Sequence, residues 1–485
     1  MLRMQAPRQL LLRLAAFVLA LLSLLFFAFP AQASGASFTT FELSNTPGTV
    51  CPGGTNCTNN ASEPQIRSDP AGHFFASSEN GLGSGTEAWS SFDSGLHYTA
   101  LTSPNAVSKG SPVAPGGGDT DVATAPVKNA AGMYNVYVAS LNLANIDVST
   151  SKDAGKSWTL NPTSASVPGD DREWIAADGA SKVCISYHDV STNNIDVNCS
   201  YNAGTAFTQL GEAFDVNHAF LAQNNEIGNL VIDPKTHFIY QTFSGIANAG
   251  EVSCSQAGSC GYHVVWVAVS TDGGKTFTDH MVYNNPDKTV SYGHQFVNMS
   301  VDRAGNVYSV YSDNHNVSYS FSTNHGTIWS APVVVNAAPS NTAIEPWSVA
   351  NKAGKIDIVW YGTSYYDGTT PPDSYPSSAA WYVYFAQNVS ATTAGSAFTQ
   401  NQATPIVHYG GVCEGGISCT GNRDLYDDFG VAVNPTNGMA SIVYSDDQYT
   451  NDANNPPQAG CTASTSNSSK CDHTSIATET AGTGI

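Results

Sequence analysis

Basic residues are scarce in this sequence, which has 18 Lys and Arg against 39 Asp and Glu and a net charge of −21 over 485 residues. Such an acidic chain repels phosphate backbones and anionic lipid, which argues against nucleic-acid and membrane-surface partners. The sequence also has no P-loop, dinucleotide-binding glycine fingerprint, HExxH or GxSxG motif. The motif-based grounds for nucleotide binding, zinc proteolysis and α/β-hydrolase chemistry are therefore absent.

Helix-favouring composition is lacking as well. Charged residues make up only 12% of the chain, whereas 43 Gly, 24 Pro and many Ser, Thr and Asn are present. This composition suits short strands joined by many turns.

Only one long hydrophobic run occurs, and it lies at the start of the chain. Residues 1–33 have three arginines ahead of an apolar stretch, Leu14–Phe29, and end on Ala31-Gln32-Ala33. This order predicts a secretory signal peptide, with an uncleaved anchor as the alternative. Its removal leaves 18 − 3 = 15 basic residues against 39 acidic ones in a single domain, 34–485. We expect a secreted or cell-surface protein with no membrane insertion after signal cleavage.

The ten cysteines contain no CxxC pair and fall into five local pairs. An even number in an exported chain favours disulfides over zinc ligation, because zinc sites usually draw on closer pairs. The predicted pairs are Cys51 with Cys57, Cys184 with Cys199, Cys254 with Cys260, Cys413 with Cys419, and Cys461 with Cys471.

A turn motif recurs along the chain. Ser270 to Phe277 reads Ser-Thr-Asp-Gly-Gly-Lys-Thr-Phe, a pattern in which Asp can accept backbone hydrogen bonds and Gly supplies a positive φ. Four further copies keep the spacing, and a sixth keeps only the turn glycine and the closing aromatic residue. The turn glycines lie at 95, 155, 204, 274, 326 and 395. Recurrence at intervals of this size indicates a repeat architecture.

A second repeated unit, an apolar strand that opens on an acidic or polar residue, occurs seven times between about 63 and 480. Seven units of four short strands predict an all-β fold, a β-propeller of four-stranded antiparallel blades. In the seventh unit, we expect 475–480 to supply an outer strand and 38–43 to close the ring.

The repeated turns resemble the Asp-box (BNR) repeats of the sialidase superfamily of β-propellers, and the resemblance covers nearly all of the mature chain. Because sialidases have six blades, six remains the alternative to seven. The resemblance implies that Asp93, Asp153 and Asp272 are structural, since Asp-boxes lie on the periphery.

Acidic residues open most of the predicted innermost strands, which line the central channel of a propeller. Carboxylates gathered around one axis repel one another, so some gain a raised pKa or recruit a cation. Glycoside hydrolysis needs two carboxylates at a suitable separation. The alternative is that these acids only hydrogen-bond neighbouring blades. The candidate catalytic residues are Asp171, Glu173, Glu345 and Asp428.

Sialidases hold the substrate carboxylate with three arginines, and this clamp is incomplete here. The first belongs to an Arg-Ile-Pro motif, but Ser62 and Glu63 precede the matching Pro64. We expect three of the four arginines of the mature chain and several rings to contact substrate, although packing between blades explains the rings equally well. The candidate substrate-binding residues are Arg67, Arg172, Trp174, His294, Trp347, Arg423 and Tyr426.

The resemblance therefore implies a secreted, sialidase-like propeller that recognises glycans or glycoconjugates, with glycoside hydrolysis at the channel mouth as its chemistry. The alternative is a non-catalytic propeller that binds a protein partner or serves as a cell-surface structural unit. No cofactor is required, and calcium in the acidic channel stays open.

Overall fold

Short strands rich in Val, Ile, Tyr and Trp pair with their sequence neighbours into seven antiparallel sheets. The computed structural model describes residues 35–45, 59–107, 111, 116–143, 145–449, 461 and 471–485. Within these residues, regular helix is limited to α1 (Val252–Gln256) and a few 3₁₀ turns, and no helix is long and apolar enough to cross a membrane. The predicted signal segment lies outside the described residues.

The strands in chain order are β1 (Ser37–Glu42), β2 (Ser62–Ser68), β3 (Phe74–Glu79), β4 (Glu87–Ser91), β5 (Thr99–Ala100), β6 (Thr120–Thr124), β7 (Val136–Leu141), β8 (Ile146–Ser151), β9 (Thr159–Asn161), β10 (Asp170–Asp178), β11 (Lys182–Asp189), β12 (Asn194–Ser200), β13 (Gln209–Glu212), β14 (Asn225–Ile232), β15 (Ile239–Gly245), β16 (Val264–Ser270), β17 (Thr278–Asn284), β18 (Asn298–Val301), β19 (Val307–Ser312), β20 (Val317–Ser322), β21 (Val333–Val334), β22 (Thr342–Ala350), β23 (Ile356–Thr363), β24 (Ala380–Asn388), β25 (Thr399–Gln402), β26 (His408–Tyr409), β27 (Gly430–Val433), β28 (Ala440–Asp446) and β29 (His473–Ala481).

Each sheet is one blade, and consecutive strands run from the channel outward. Blades 1 to 6 are built from β2–β5, β6–β9, β10–β13, β14–β17, β18–β21 and β22–β25, and β26 adds to blade 6 beside β24. Buried apolar side chains fill the space between neighbouring sheets. The prediction of a seven-bladed propeller is confirmed.

The two ends of the chain share blade 7, which has the strand order β1-β29-β28-β27. Strand β1 pairs antiparallel with β29, so that Phe41 lies opposite Ile476. The predicted ring closure, with 38–43 beside 475–480, is therefore observed. A ring fastened in this way leaves no blade without a neighbour.

The repeated turns connect the third strand of a blade to its outer strand. In the copy after β16, Asp272 Oδ1 accepts the Lys275 and Thr276 N–H groups at 3.1 Å and the Ser270 hydroxyl at 2.9 Å. The Gly274 N–H donates to Ser270 Oγ at 2.9 Å, and Gly274 has φ 96°. The hydrogen bonds expected of this turn chemistry are thus present, at the rim of the propeller.

Replacing Asp272 with Ala removes these acceptors from a solvent-facing turn. We expect the free energy of unfolding to fall by about 1 kcal/mol, because several backbone donors lose their partner but remain open to water. Chemical denaturation measures the change. No loss of stability, or an altered ligand affinity at the channel, would contradict a purely structural role.

Disulfides join the predicted neighbours wherever the structure describes both cysteines. Four bridges are present, namely Cys184–Cys199, Cys254–Cys260, Cys413–Cys419 and Cys461–Cys471. Four bridges within the described fold are typical of proteins that fold in an oxidising compartment. The fifth predicted pair differs from these, because both Cys51 and Cys57 lie outside the described residues. The disulfide between Cys51 and Cys57 therefore stays a prediction.

Candidate functional site

The inner strands β2, β10 and β22 each carry a β-bulge near the channel mouth, as β14 also does. The registers of β2, β10 and β22 shift at these points, and Glu63, Arg172 and Glu345 take φ values of 48°, 44° and 49°. A side chain in this left-handed conformation is unusual outside glycine, and bulges commonly re-aim side chains beside functional sites. The three bulges thus present charged groups in the channel.

Arg172 occupies the centre of the channel and is 5% exposed. Its guanidinium lies 2.8 Å from Asp428 Oδ2 and 3.4 Å from Glu63 Oε2. Burial opposes the charge, but Asp428, Asp119 and Glu63 outweigh it and raise the pKa of Arg172 above its ordinary value. Arg172 therefore stays charged and ties three blades together.

Aromatic rings close the channel beneath this arginine. The Trp174 ring lies 4.0 Å from the guanidinium carbon of Arg172, and its centroid is 5.0 Å from that of Trp347 and 5.4 Å from that of Phe296. Trp174 and Trp347 are 0% and 3% exposed. On the far side, Arg67 lies 3.0 Å from Asp121 and, with Trp347, lines a separate cavity of about 240 Å³.

Above Arg172, a second arginine meets another group of acids. Arg423 lies 3.0 Å from Glu63 Oε1 and 2.5 Å from Asp427 Oδ2. Carboxylate oxygens of Glu63, Glu79 and Asp119 lie within 4.8 Å of one another. Two guanidinium groups already contact this trio, and a cation there would have to compete with them, so the calcium expectation stays a prediction.

A cavity of about 410 Å³ opens at the start of the inner strands, and we call it the mouth cleft. Its volume lies within the usual range for small-molecule sites. It is lined by Asp119, Asp171, Arg172, His188, Glu226, Gly293, His294, Gln295, Phe296, Glu414, Gly415, Gly416, Arg423 and Asp427. A neighbouring cavity of about 530 Å³ shares His294, Glu414 and Gly415 with it, and the Cys413–Cys419 loop forms part of its wall.

The acids of the mouth cleft differ in how readily they ionise. Burial, together with the charges of Asp171 and Asp427, raises the pKa of Glu226 to about 8. Burial raises the pKa of Glu414 to about 8 as well, although a hydrogen bond from Gln295 opposes the rise. Asp171 is exposed, and its pKa is raised by partial burial and by Asp119. Glu226 and Glu414 are therefore largely protonated near neutral pH.

The structure brings one predicted catalytic residue, Asp171, to the mouth cleft. Glu173 and Glu345 are buried, and neither carboxyl group has a hydrogen-bond partner among the described residues. Burial raises the pKa of both well above the ordinary value. Asp428 is the ion-pair partner of Arg172. The catalytic roles of these four residues stay predictions.

The predicted substrate-binding residues divide between two ends of the channel. Arg172, His294 and Arg423 line the mouth cleft, and Tyr426 lies under the guanidinium of Arg423 at 5.1 Å. Trp174 and Trp347 pack inside the channel, as the packing explanation requires. Arg67 lies with Trp347 at the opposite end.

Sequence reasoning missed several charged residues of this site. Glu79 pairs with Ser62 at the end of β3, so the strand register carries it beside the bulge at Glu63. Glu414 follows Cys413 in a disulfide loop, and His188 lies on β11 opposite Asp171. A register-based alignment of the first two strands of each blade could have indicated Glu79 and His188.

The buried acids predict how stability changes with pH. Glu79, Glu226 and Glu414 each have a pKa raised from 4.5 to about 8, so their contribution is fully present below about pH 4.5 and is lost as pH rises through 8. Hydrogen bonds lower the pKa of the buried Glu251 and of the exposed Asp272 to about 2, so their contribution disappears as pH falls towards 2. We expect the melting temperature to peak between about pH 4 and 5. A melting temperature at pH 8 equal to or above that at pH 5 would contradict this balance.

No family model matches the chain, and no curated protein matches it. Among solved structures, a Penicillium chrysogenum α-L-arabinanase bound to arabinobiose is 10% identical with a TM-score of 0.43, over 92% of this chain and 98% of that one. The Xanthomonas campestris GH74 xyloglucanase is 13% identical with a TM-score of 0.48, over 84% of this chain and 52% of that one. A Hadza microbial sialidase is 12% identical with a TM-score of 0.39, over 62% of this chain and 63% of that one. Similarity at this level concerns the propeller fold and says nothing about activity.

Proposed function

We propose that this propeller binds neutral glycans in the mouth cleft and hydrolyses a glycosidic bond there. The supporting observation is the pairing of Glu226, whose pKa is raised to about 8, with the exposed Asp171, whose charge contributes to that rise. Glycoside hydrolysis requires two carboxyl groups in different protonation states.

In this proposal, Glu226 is the general acid. It is largely protonated at neutral pH and donates its proton to the departing glycosidic oxygen. In the same proposal, the exposed Asp171 is the carboxylate that assists the attack of water on the anomeric carbon. Arg172 and Arg423 line the same cleft as these acids, and their ion pairs are with the neighbouring carboxylates of Glu63, Asp427 and Asp428.

A neutral sugar fits this cleft better than sialic acid. The arginines predicted to bind substrate each contact a protein carboxylate: Arg67 contacts Asp121, Arg172 contacts Asp428, and Arg423 contacts Asp427. Two arginines face five acids in the cleft lining, so a substrate carboxylate would meet repulsion without a free guanidinium. The exposed His294 lies between the two cavities and is the substrate contact that we propose there.

Export belongs to the same proposal. The four disulfides agree with folding outside the reducing cytoplasm. We propose that residues 1–33 direct this export, which N-terminal sequencing of the secreted protein would test.

The experiment is hydrolysis of a panel of neutral aryl pentosides and hexosides and one aryl sialoside by the purified mature protein. Each assay runs from pH 4 to 8, with calcium and with chelator. We expect release from at least one neutral glycoside and none from the sialoside. Release from the sialoside alone would contradict the neutral-glycan proposal, and dependence on calcium would support a cation at Glu63, Glu79 and Asp119.

One observation favours the non-catalytic alternative. Ion pairs and aromatic rings fill the channel below the mouth cleft, as a scaffold propeller would require. No hydrolysis of any substrate in the panel, together with measurable glycan binding, would assign this protein to recognition without hydrolysis. Neither hydrolysis nor glycan binding would favour a protein partner.

A further inference from the structure

A second group of potential ligands lies far from the channel, between the outer parts of blades 3 and 4. Asp215 and His218 follow β13, and Asp279 lies on β17 at the outer edge of blade 4. Donor atoms of the three side chains lie within 4.8 Å of one another. We propose that this trio binds a divalent transition metal, with Zn²⁺ as the test ion, independently of the proposed glycan site.

The distances suit a tetrahedral ion. His218 Nδ1 lies 3.1 Å from Asp215 Oδ1 and 3.3 Å from Asp279 Oδ2. Ligands bound to zinc at 2.0–2.1 Å are separated by about 3.3 Å along a tetrahedral edge. One imidazole nitrogen and two carboxylates form a donor set that suits zinc and its neighbours better than calcium, which prefers six to eight oxygens.

Two polar atoms of the trio lack the partners that a plain ion pair would give them. His218 Nδ1 is buried within ion-pair distance of both acids, and its contacts with them fall short of a well-formed hydrogen bond. The Asp279 side chain is 0% exposed, and its Oδ1 has no hydrogen-bond partner among the described residues. A buried carboxylate oxygen without a donor is costly, and a cation would satisfy it.

Backbone hydrogen bonds hold the two acids in place. The Asp215 N–H donates to Asp279 Oδ2 at 2.9 Å, and the Asp279 N–H donates to Asp215 Oδ2 at 3.2 Å. The Asn217 N–H donates to Asp215 Oδ1 at 2.8 Å, and the His218 ring packs 5.1 Å from Trp266. The ligand geometry is thus formed before any metal binds, which lowers the cost of binding.

Two other groups in the described chain have comparable spacing but lack these features. Both ring nitrogens of His408 are engaged, at 2.8 Å with Asp447 and at 3.0 Å with the Gly411 carbonyl. Glu63 of the channel group contacts both Arg172 and Arg423. Among the three groups, only Asp215–His218–Asp279 combines an imidazole nitrogen that faces two carboxylates with an unpartnered buried oxygen.

The test is Zn²⁺ titration of chelator-treated protein by calorimetry, with His218→Ala and Asp279→Asn as variants. His237→Ala is the matched control, because His237 also bridges these two blades but contacts a single acid, Asp178, at 2.8 Å. We expect one Zn²⁺ site that both variants lose and the control keeps. At a hundredfold excess over Kd, the melting temperature of the wild type should rise by about 3 °C.

Wild-type protein alone provides a second measurement that does not depend on the folding of variants. Anomalous scattering at the zinc edge from Zn²⁺-soaked crystals should show a peak between the three side chains. Zn²⁺ bound elsewhere, Ca²⁺ bound in its place, or no binding by the wild type would overturn the proposal.

Discussion

Replacing Arg172 with Ala is expected to lower the free energy of unfolding by about 3–5 kcal/mol, the cost of breaking a buried ion pair from one side. The guanidinium is 5% exposed and lies 2.8 Å from Asp428 and 3.4 Å from Glu63. Its removal leaves these carboxylates buried without their main counter-charge, and it also removes the packing on Trp174 at 4.0 Å. Urea denaturation measures the loss.

Arg303→Ala is the control for Arg172→Ala, because the Arg303 side chain lies in an exposed turn and donates to the Pro435 carbonyl at 2.8 Å, with no acidic ion-pair partner among the described residues. We expect it to cost less than about 1 kcal/mol. The Arg172→Ala defect should shrink at acidic pH, where the orphaned acids are protonated. Equal losses of stability for the two variants would contradict the conclusion that the ion pairs of Arg172 hold the channel together.

Replacing Glu226 with Gln is expected to reduce kcat on the neutral glycoside by about 10²–10⁴, the usual contribution of a general acid. The amide keeps the shape of the side chain but has no proton to donate. Because burial and Asp171 raise the pKa of Glu226 to about 8, the wild-type rate should fall as pH rises through that value. Glu226→Gln should lose this alkaline limb.

The matched control for Glu226→Gln is Glu212→Gln, which changes an exposed glutamate on the outer strand β13. It should leave kcat and the pH profile unchanged. A Glu226→Gln enzyme with the rate and pH dependence of the control would mean that another carboxyl group donates the proton, and Glu414 would be tested next.

Much of the fold could be predicted because its causes are local. The Ser-x-Asp-x-Gly turns specify their own hydrogen bonds, and their spacing sets the blade period. Ring closure by 38–43 could be predicted because the last unit, with 475–480 as an outer strand, still needed one more strand to complete four. Pairing of adjacent cysteines followed from hairpin proximity, as at Cys184–Cys199.

The candidate site was less predictable because its geometry depends on backbone irregularities. Alternation along a strand does not reveal a bulge, so the left-handed residues Glu63, Arg172 and Glu345 could not be assigned a direction. Two of the bulges coincide with a Glu-Pro dipeptide, at 63–64 and 345–346, which is a sequence feature that these two sites share. The ion pairs join residues from different blades, as Arg172 and Asp428 do, and no single repeat contains both.

The most direct test of the central claim, that glycans bind in the mouth cleft, is a glycan array probed with Glu226→Gln protein, which should bind without turnover. A second probe adds His294→Trp, which fills the cleft from an exposed position that lies in both cavity walls. The account predicts signal on neutral glycans that the added tryptophan abolishes while the melting temperature stays unchanged. Binding that persists with His294→Trp, or binding confined to sialylated glycans, would contradict it.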